Sequence, residues 1–93
     1  MFKIQYQHQV VRSDIPKLSR EWKDVIKSVI EEKLKNNPNI YSKPLRGSLG
    51  GYWKLRVGDY RIVFKIVEKT VKIFAIQHRS IVYKNISKRI NQK

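Results

Sequence analysis

The chain has no cysteine, so neither a disulfide framework nor a thiolate metal site is open to it, and a reducing compartment suits it. Histidine is scarce: only His8 and His78 occur, on separate elements, with no HxxH or HExxH spacing. No metal site and no cofactor are expected. Acidic residues number seven among 93, and five of them lie in the first 33 positions, which leaves no convincing carboxylate pair for acid–base work. Gly47, Gly50 and Gly51 precede a predicted strand and do not join a strand to a helix, so no phosphate-binding glycine loop is present. No segment approaches the roughly 18–20 apolar residues of a membrane span. No apolar run of the secretory kind follows Met1-Phe2-Lys3-Ile4, so a signal peptide is not expected.

What is abundant is positive charge. Twenty-one Lys and Arg give a formal net charge of +14. Residues 1–33 hold seven basic and five acidic residues, a net of +2; residues 34–93 hold fourteen basic residues against Asp59 and Glu68, a net of +12. Such a field attracts polyanions and speeds encounter with them. Nucleic acid, an acidic protein or an anionic membrane surface are the candidate partners. Membrane is the weakest of these, because the cations fall on predicted strands and not on an amphipathic helix.

Ninety-three residues make a single domain, 1–93, with one modest core. Phe2 to Tyr6 alternates as a short strand. His8 to Leu18 is predicted helical, with Val11, Ile15 and Leu18 on one side and Pro16 forcing a kink or a restart after Ser13-Asp14. Residues 20–36 read as the clearest helix: Ser19 is a natural N-cap, Asn36-Asn37-Pro38 a stop, and Trp22, Val25, Ile26, Val29, Ile30 and Leu34 one apolar stripe. Residues 39–51 read as a loop. Two strands follow, then a turn at Glu68-Lys69, a third strand over 70–77, and a C-terminal helix over 80–90 with Val82, Ile86 and Ile90 on one side. The predicted fold class is α+β: an antiparallel β-sheet with two N-terminal helices packed on one face and a short C-terminal helix. In the third strand Val71, Ile73 and Ala75 are expected on the helix-covered face.

The stretch from Tyr52 to Lys65 carries most of the functional information. It folds as a hairpin about Gly58-Asp59, pairing Val57 with Tyr60, Arg56 with Arg61, Leu55 with Ile62, Lys54 with Val63 and Trp53 with Phe64. One face is then apolar: Trp53, Leu55, Val57, Tyr60, Ile62, Phe64. The other carries Tyr52, Lys54, Arg56, Arg61, Val63 and Lys65. Like charges directly opposite on a sheet are destabilising. Local rules are broken where function requires it, and a phosphodiester would offset the repulsion. The plain alternative is a solvated basic face.

Counting back from the Glu68-Lys69 turn puts position 78 across from position 59, so Arg46, Lys54, Arg56, Arg61, His78, Arg79 and Tyr83 would converge at one edge of the sheet. RNA is cut without metal when its 2′-OH is deprotonated, the phosphorane charge stabilised and the 5′-oxygen protonated. Arginine suits the second task. Histidine suits a proton transfer, whereas lysine or tyrosine serves as a base only where neighbouring cations favour it. A locally bonded strand-end histidine and a helix-packing tyrosine are the plain readings of His78 and Tyr83.

The segments Lys43-Pro44-Leu45-Arg46-Gly47, Tyr52 to Phe64 and Ala75-Ile76-Gln77-His78-Arg79, with Val82-Tyr83 after them, resemble the RelE/ParE superfamily of toxins from bacterial toxin–antitoxin pairs, its RelE branch in particular. The resemblance covers nearly the whole chain in element order. It implies a cytoplasmic mRNA interferase that enters the ribosomal A site, in contact with 16S rRNA, and cuts mRNA without metal by attack of the 2′-OH. It also implies an antitoxin, often acidic, that wraps and neutralises the toxin. Carried over by motif, Lys54 would be the catalytic lysine and Arg61 the arginine that stabilises the phosphorane. Arg56 and Arg79 would bind phosphate, Tyr83 would stack on a base or help deprotonate the sugar, and His78 would stand where some members use a histidine as acid. Arg46, Tyr52 and Lys65 are further candidates for RNA contact. The best-studied branch has a second lysine two residues before the one matched by Lys54; here that position is Tyr52, which either takes over its role or marks a site built differently. The superfamily also contains gyrase-inhibiting ParE toxins of the same fold. A non-catalytic RNA-binding module is the remaining alternative.

Overall fold

The structure, a computed structural model, describes residues 1–91. Strands β1 (Lys3–Tyr6), β2 (Lys43–Pro44), β3 (Trp53–Val57), β4 (Tyr60–Val67) and β5 (Thr70–His78) form one five-stranded sheet in the order β1-β5-β4-β3-β2. The β2–β5 ribbon is antiparallel, but β1 lies parallel to β5, so the sheet is mixed and not antiparallel throughout. The helices between β1 and the ribbon return the chain in a way that permits this parallel pairing. β2 is a two-residue edge strand inside the predicted loop, and Pro44 is tolerated there because an edge position needs fewer backbone donors.

Helix α1 (residues 10–17) begins as a wide π-helical turn, Val10–Asp14, in which the Ile15 N–H donates to Val10 O, and continues as Ile15–Lys17. Pro16 therefore falls in the first turn of the α-helical part, where its missing donor costs little. The inward residues are Val10 and Asp14, while Val11, expected to face the core, is 54% exposed. Helix α2 (residues 20–34) runs from Arg20–Val29 into a second π-helical turn, Ile30–Leu34. Ser19 caps it, its Oγ accepting from the Trp22 N–H at 3.2 Å. Trp22, Ile26, Val29, Ile30 and Leu34 pack on the sheet, whereas Val25 lies at the margin of the stripe and is exposed.

The sheet has two cores, one on each face. Leu55, Val57, Ile62, Phe64, Val71, Ile73 and Ile76 meet α1 and α2 on the first face. Val63 and Ala75 meet Val82 and Ile86 of α3 (Val82–Asn91) on the second. The C-terminal helix thus covers the side opposite the N-terminal pair.

The hairpin β3–β4 has the five pairs expected of it. The hairpin β4–β5 starts in the expected register and then slips: Phe64 pairs with Ile73, but Val63 pairs with Ala75, leaving Phe74 as the extra residue of a β-bulge. A slip of one residue exchanges the faces of everything beyond it. Ala75 therefore joins the second core and not the first. Ile76 takes its place opposite Ile62, and His78 pairs with Tyr60 in place of position 59.

Candidate functional site

Every second residue of the β2–β4 ribbon faces the side away from α1 and α2. Lys43 stands opposite Lys54 on one rung, and Arg56 stands opposite Arg61 on the next. Strands lie about 4.8 Å apart and alternate residues about 6.7 Å apart, so four cations occupy a small grid. Two like-charged cross-strand pairs side by side work against the sheet. With Tyr41 these residues line a cleft of about 210 Å³. Val63 and Ala75, both fully buried, lie beside the grid beneath α3. Tyr83, in the first turn of α3, sets its ring centroid 5.8 Å from Lys54 Nζ. Lysine, two arginines and a phenol are thus brought together.

Arg61 is held in place by its own hairpin. One terminal nitrogen donates to Gly58 O at 2.8 Å and to Tyr60 O at 2.9 Å. Among the described residues no acceptor meets its Nε or its other terminal nitrogen. Those N–H groups form the fork that matches two oxygens of a phosphate. Arg79 stands at the loop end of the same hairpin: its backbone N–H donates to Asp59 O at 2.8 Å, and its Nε lies 3.7 Å from Asp59 Oδ1. Both side chains of that ion pair are well exposed, so the pair tethers Arg79 only weakly.

Four candidates lie elsewhere. The bulge at Phe74 turns His78 onto the first face, edge-on to Tyr60 at 5.8 Å, and Tyr60 in turn lies 4.8 Å from Trp22. His78 Nδ1 accepts the Ser80 N–H at 3.2 Å and meets Ser80 Oγ at 2.8 Å. The convergence of His78 with the cations is therefore corrected: His78 stands across from Tyr60 and not from position 59, and Gln77 stands across from Arg61. Tyr52 is part of the second core, edge-on to Phe74 at 5.2 Å, and Lys65 lies over its ring at 5.5 Å. Arg46 is exposed at the start of the short 3₁₀ turn Gly47–Leu49 and does not line the cleft. A groove of about 800 Å³ shares no lining residue with the cationic cleft: it runs between β1 and α2 over Phe2, Ile4, Leu18 and Ile26. Tyr6 lies on its wall, where burial and then the Glu31 carboxylate push the phenol above its usual pKa.

A ParE-toxin family model, that of the ParE toxin of the parDE type II toxin–antitoxin system, matches residues 5–83. The chain belongs to this family of toxins. A 53-residue stretch is 43% identical to the toxin RelE of Mycobacterium tuberculosis, covering 55% of each chain, so the match spans about half the length of that relative. Among solved structures, the M. tuberculosis toxin–antitoxin complex RelBE2 contains a similar chain at 28% identity and a TM-score of 0.78, with 84% of this chain and 98% of that one covered. The RelB–RelE antitoxin–toxin complex of Methanococcus jannaschii contains another at 25% identity and a TM-score of 0.70, covering 87% and 96%. The α+β architecture of the RelE/ParE superfamily is therefore shared along nearly the whole described toxin.

Two groups of residues in this toxin escaped the sequence reading. Tyr41 and Lys43 belong to the cleft but lie in what reads as loop; the two-residue strand at Lys43 is too short to show alternation. The second group centres on Asp14, which is 2% exposed. β1 ends at Tyr6, so the edge of β5 beyond Ile73 has no strand beside it. Side chains take the place of that strand. Asp14 Oδ2 accepts the Ile76 N–H at 2.9 Å, and Arg89 donates to Phe74 O at 3.0 Å. The carboxylate and guanidinium pair in a fork of 2.7 and 2.8 Å. Gln77 donates to Asp14 Oδ1 at 2.9 Å and accepts from Asn85 at 3.1 Å. Asp14 of α1 and Arg89 of α3 are thus joined around the sheet edge. The separation of the two positions hides this strap from any local motif.

Proposed function

We propose that this toxin is a ribosome-dependent endoribonuclease that cuts mRNA in the A site and so arrests translation. The cleft carries the reading: Lys54, Arg56 and Arg61 converge with Tyr83 close by, and a diester phosphate is the ligand whose charge offsets their repulsion. The RelE name of the relative at 43% identity points the same way. In this mechanism the scissile phosphate sits over Arg61, whose open N–H groups take the charge that builds on the phosphorane. Arg56 and Arg79 hold the flanking backbone. The 2′-OH loses its proton, its oxygen bonds to phosphorus, and the 5′-oxygen leaves as it gains a proton, giving a 2′,3′-cyclic phosphate and a 5′-hydroxyl. Lys54 and Tyr83 are the proton-carrying groups within reach of that phosphate. His78, on the other face, takes no part. Cytoplasmic action follows from an mRNA substrate. The +14 charge favours an acidic antitoxin as the neutralising partner, in keeping with the two-protein complexes in which the similar solved chains occur.

The test is inducible expression with mapping of mRNA 5′ ends. Cuts within translated codons are expected from the native chain, and their loss from Arg61→Ala and from Tyr83→Ala. Persistence of the cuts in both variants would remove the site assignment. A second reading, inhibition of DNA gyrase, is favoured by the match to the ParE family model. Under it, expression induces a DNA-damage response and leaves mRNA intact.

A further inference from the structure

We propose that Tyr41, with Lys43 beside it, is a nucleobase platform of the cleft: it stacks a base of single-stranded RNA next to the phosphate held by Lys54 and Arg61. This rests on the reading of the cleft as an RNA site and extends it to Tyr41, which lies outside the segments that resemble the toxin superfamily, and to Lys43, which has no role carried over from it. Tyr41 is 49% exposed, a large aromatic surface left in water. It lines the cleft with four cations, Lys43, Lys54, Arg56 and Arg61. Lys33 Nζ lies 5.2 Å from the Tyr41 ring centroid and adds a further positive charge. Lys54 is the residue that the cleft shares with Tyr83, so two phenols serve one set of cations. Cations that hold the backbone, alternating with aromatic faces for the bases, are the common design for single strands. A duplex buries those faces and gives Tyr41 nothing to stack on. Tyr41 therefore selects unpaired RNA, and Lys43 holds the phosphate on its side.

The experiment measures binding of short RNA oligomers, with 2′-O-methyl sugars throughout so that no position can be cut, by fluorescence anisotropy with the full chain. Abasic sugars are placed at each position in turn. Tyr41→Ala should weaken the intact oligomer about 5- to 150-fold, the range of one base–aromatic stack. It should do so only while the base at one position is present; the abasic oligomer at that position should bind the native chain and Tyr41→Ala alike. Tyr41→Phe and Tyr41→Trp should retain binding, and the oligomer should quench the extra indole emission that Tyr41→Trp adds to the native spectrum. Lys43→Ala should lower the salt slope by about one unit without changing the abasic pattern. Thermal unfolding of Tyr41→Ala should match that of the native chain, since the ring is half in water. Binding by Tyr41→Ala within twofold of native overturns the platform, as does an equal loss for every abasic oligomer. A native chain that binds no RNA overturns the cleft reading and the platform together, while binding with an indifferent Tyr41 overturns the platform alone.

Discussion

Both hairpins of the sheet turn through two residues with a positive φ at the first, Gly58 at 59° in one and Glu68 at 56° in the other. From there they diverge. β3 and β4 keep step over all five rungs, so Lys54, Arg56 and Arg61 share one face. β4 and β5 lose step at Phe74, and the far end of β5 is re-aimed. Gln77 and Ile76 are brought to the Asp14–Arg89 strap, and His78 to Tyr60. The unbroken hairpin gathers chemistry; the broken one secures the helix that carries Tyr83. Strict alternation collects like groups, and a bulge lets one strand serve two faces.

The largest effect that would sharpen this contrast is expected at the strap. Arg89→Met leaves Asp14 buried without its counter-charge and should cost about 3–5 kcal/mol, read from urea denaturation midpoints. A loss below about 1 kcal/mol, the scale of an exposed ion pair, would show that the strap is not what holds α3. Next come the two arms in the proposed RNA cleavage. Arg61→Ala should lower the yield of mapped mRNA cuts about 10²–10³-fold. His78→Ala should fall far short of the roughly 10²–10⁴-fold loss of a missing general acid; a full loss would mean that β5 moves back into step when substrate binds. The turns separate the hairpins on a smaller scale. A Cβ at Gly58 would lie 2.6 Å from Trp22 Cη2, in a conformation that already disfavours L residues. Gly58→Ala should thus destabilise by about 1–3 kcal/mol in thermal unfolding. Glu68→Gly at the other turn should stabilise by up to about 1 kcal/mol, because the left-handed strain of a side chain there is removed. Equal responses of the two turns would contradict their difference in packing.

These differences also mark what could be read from the residues alone. The five pairs of the first hairpin, its two faces and the packing of Val82, Ile86 and Ile90 follow from alternation and helical spacing, because period and burial agree there. The bulge did not follow, although the run Ile73-Phe74-Ala75-Ile76 carries its trace: four consecutive apolar residues suit a strand covered on both sides. Missing it placed Ala75 and His78 wrongly in the same stroke. Val10 and Val11 exchanged roles for a similar reason, since the π-helical turn shifts the phase of α1. Asp14 reads as a helix-restart residue, and only the short β1 makes it a substitute for a strand.

The strap joins positions 75 apart in the chain, and each end takes a backbone partner from β5. Neither side chain completes its set of bonds until that strand is in place, so the closure belongs late in folding. Its loss should then shorten the lifetime of the native state while barely slowing its formation. In a chevron plot of Arg89→Met only the unfolding limb should rise.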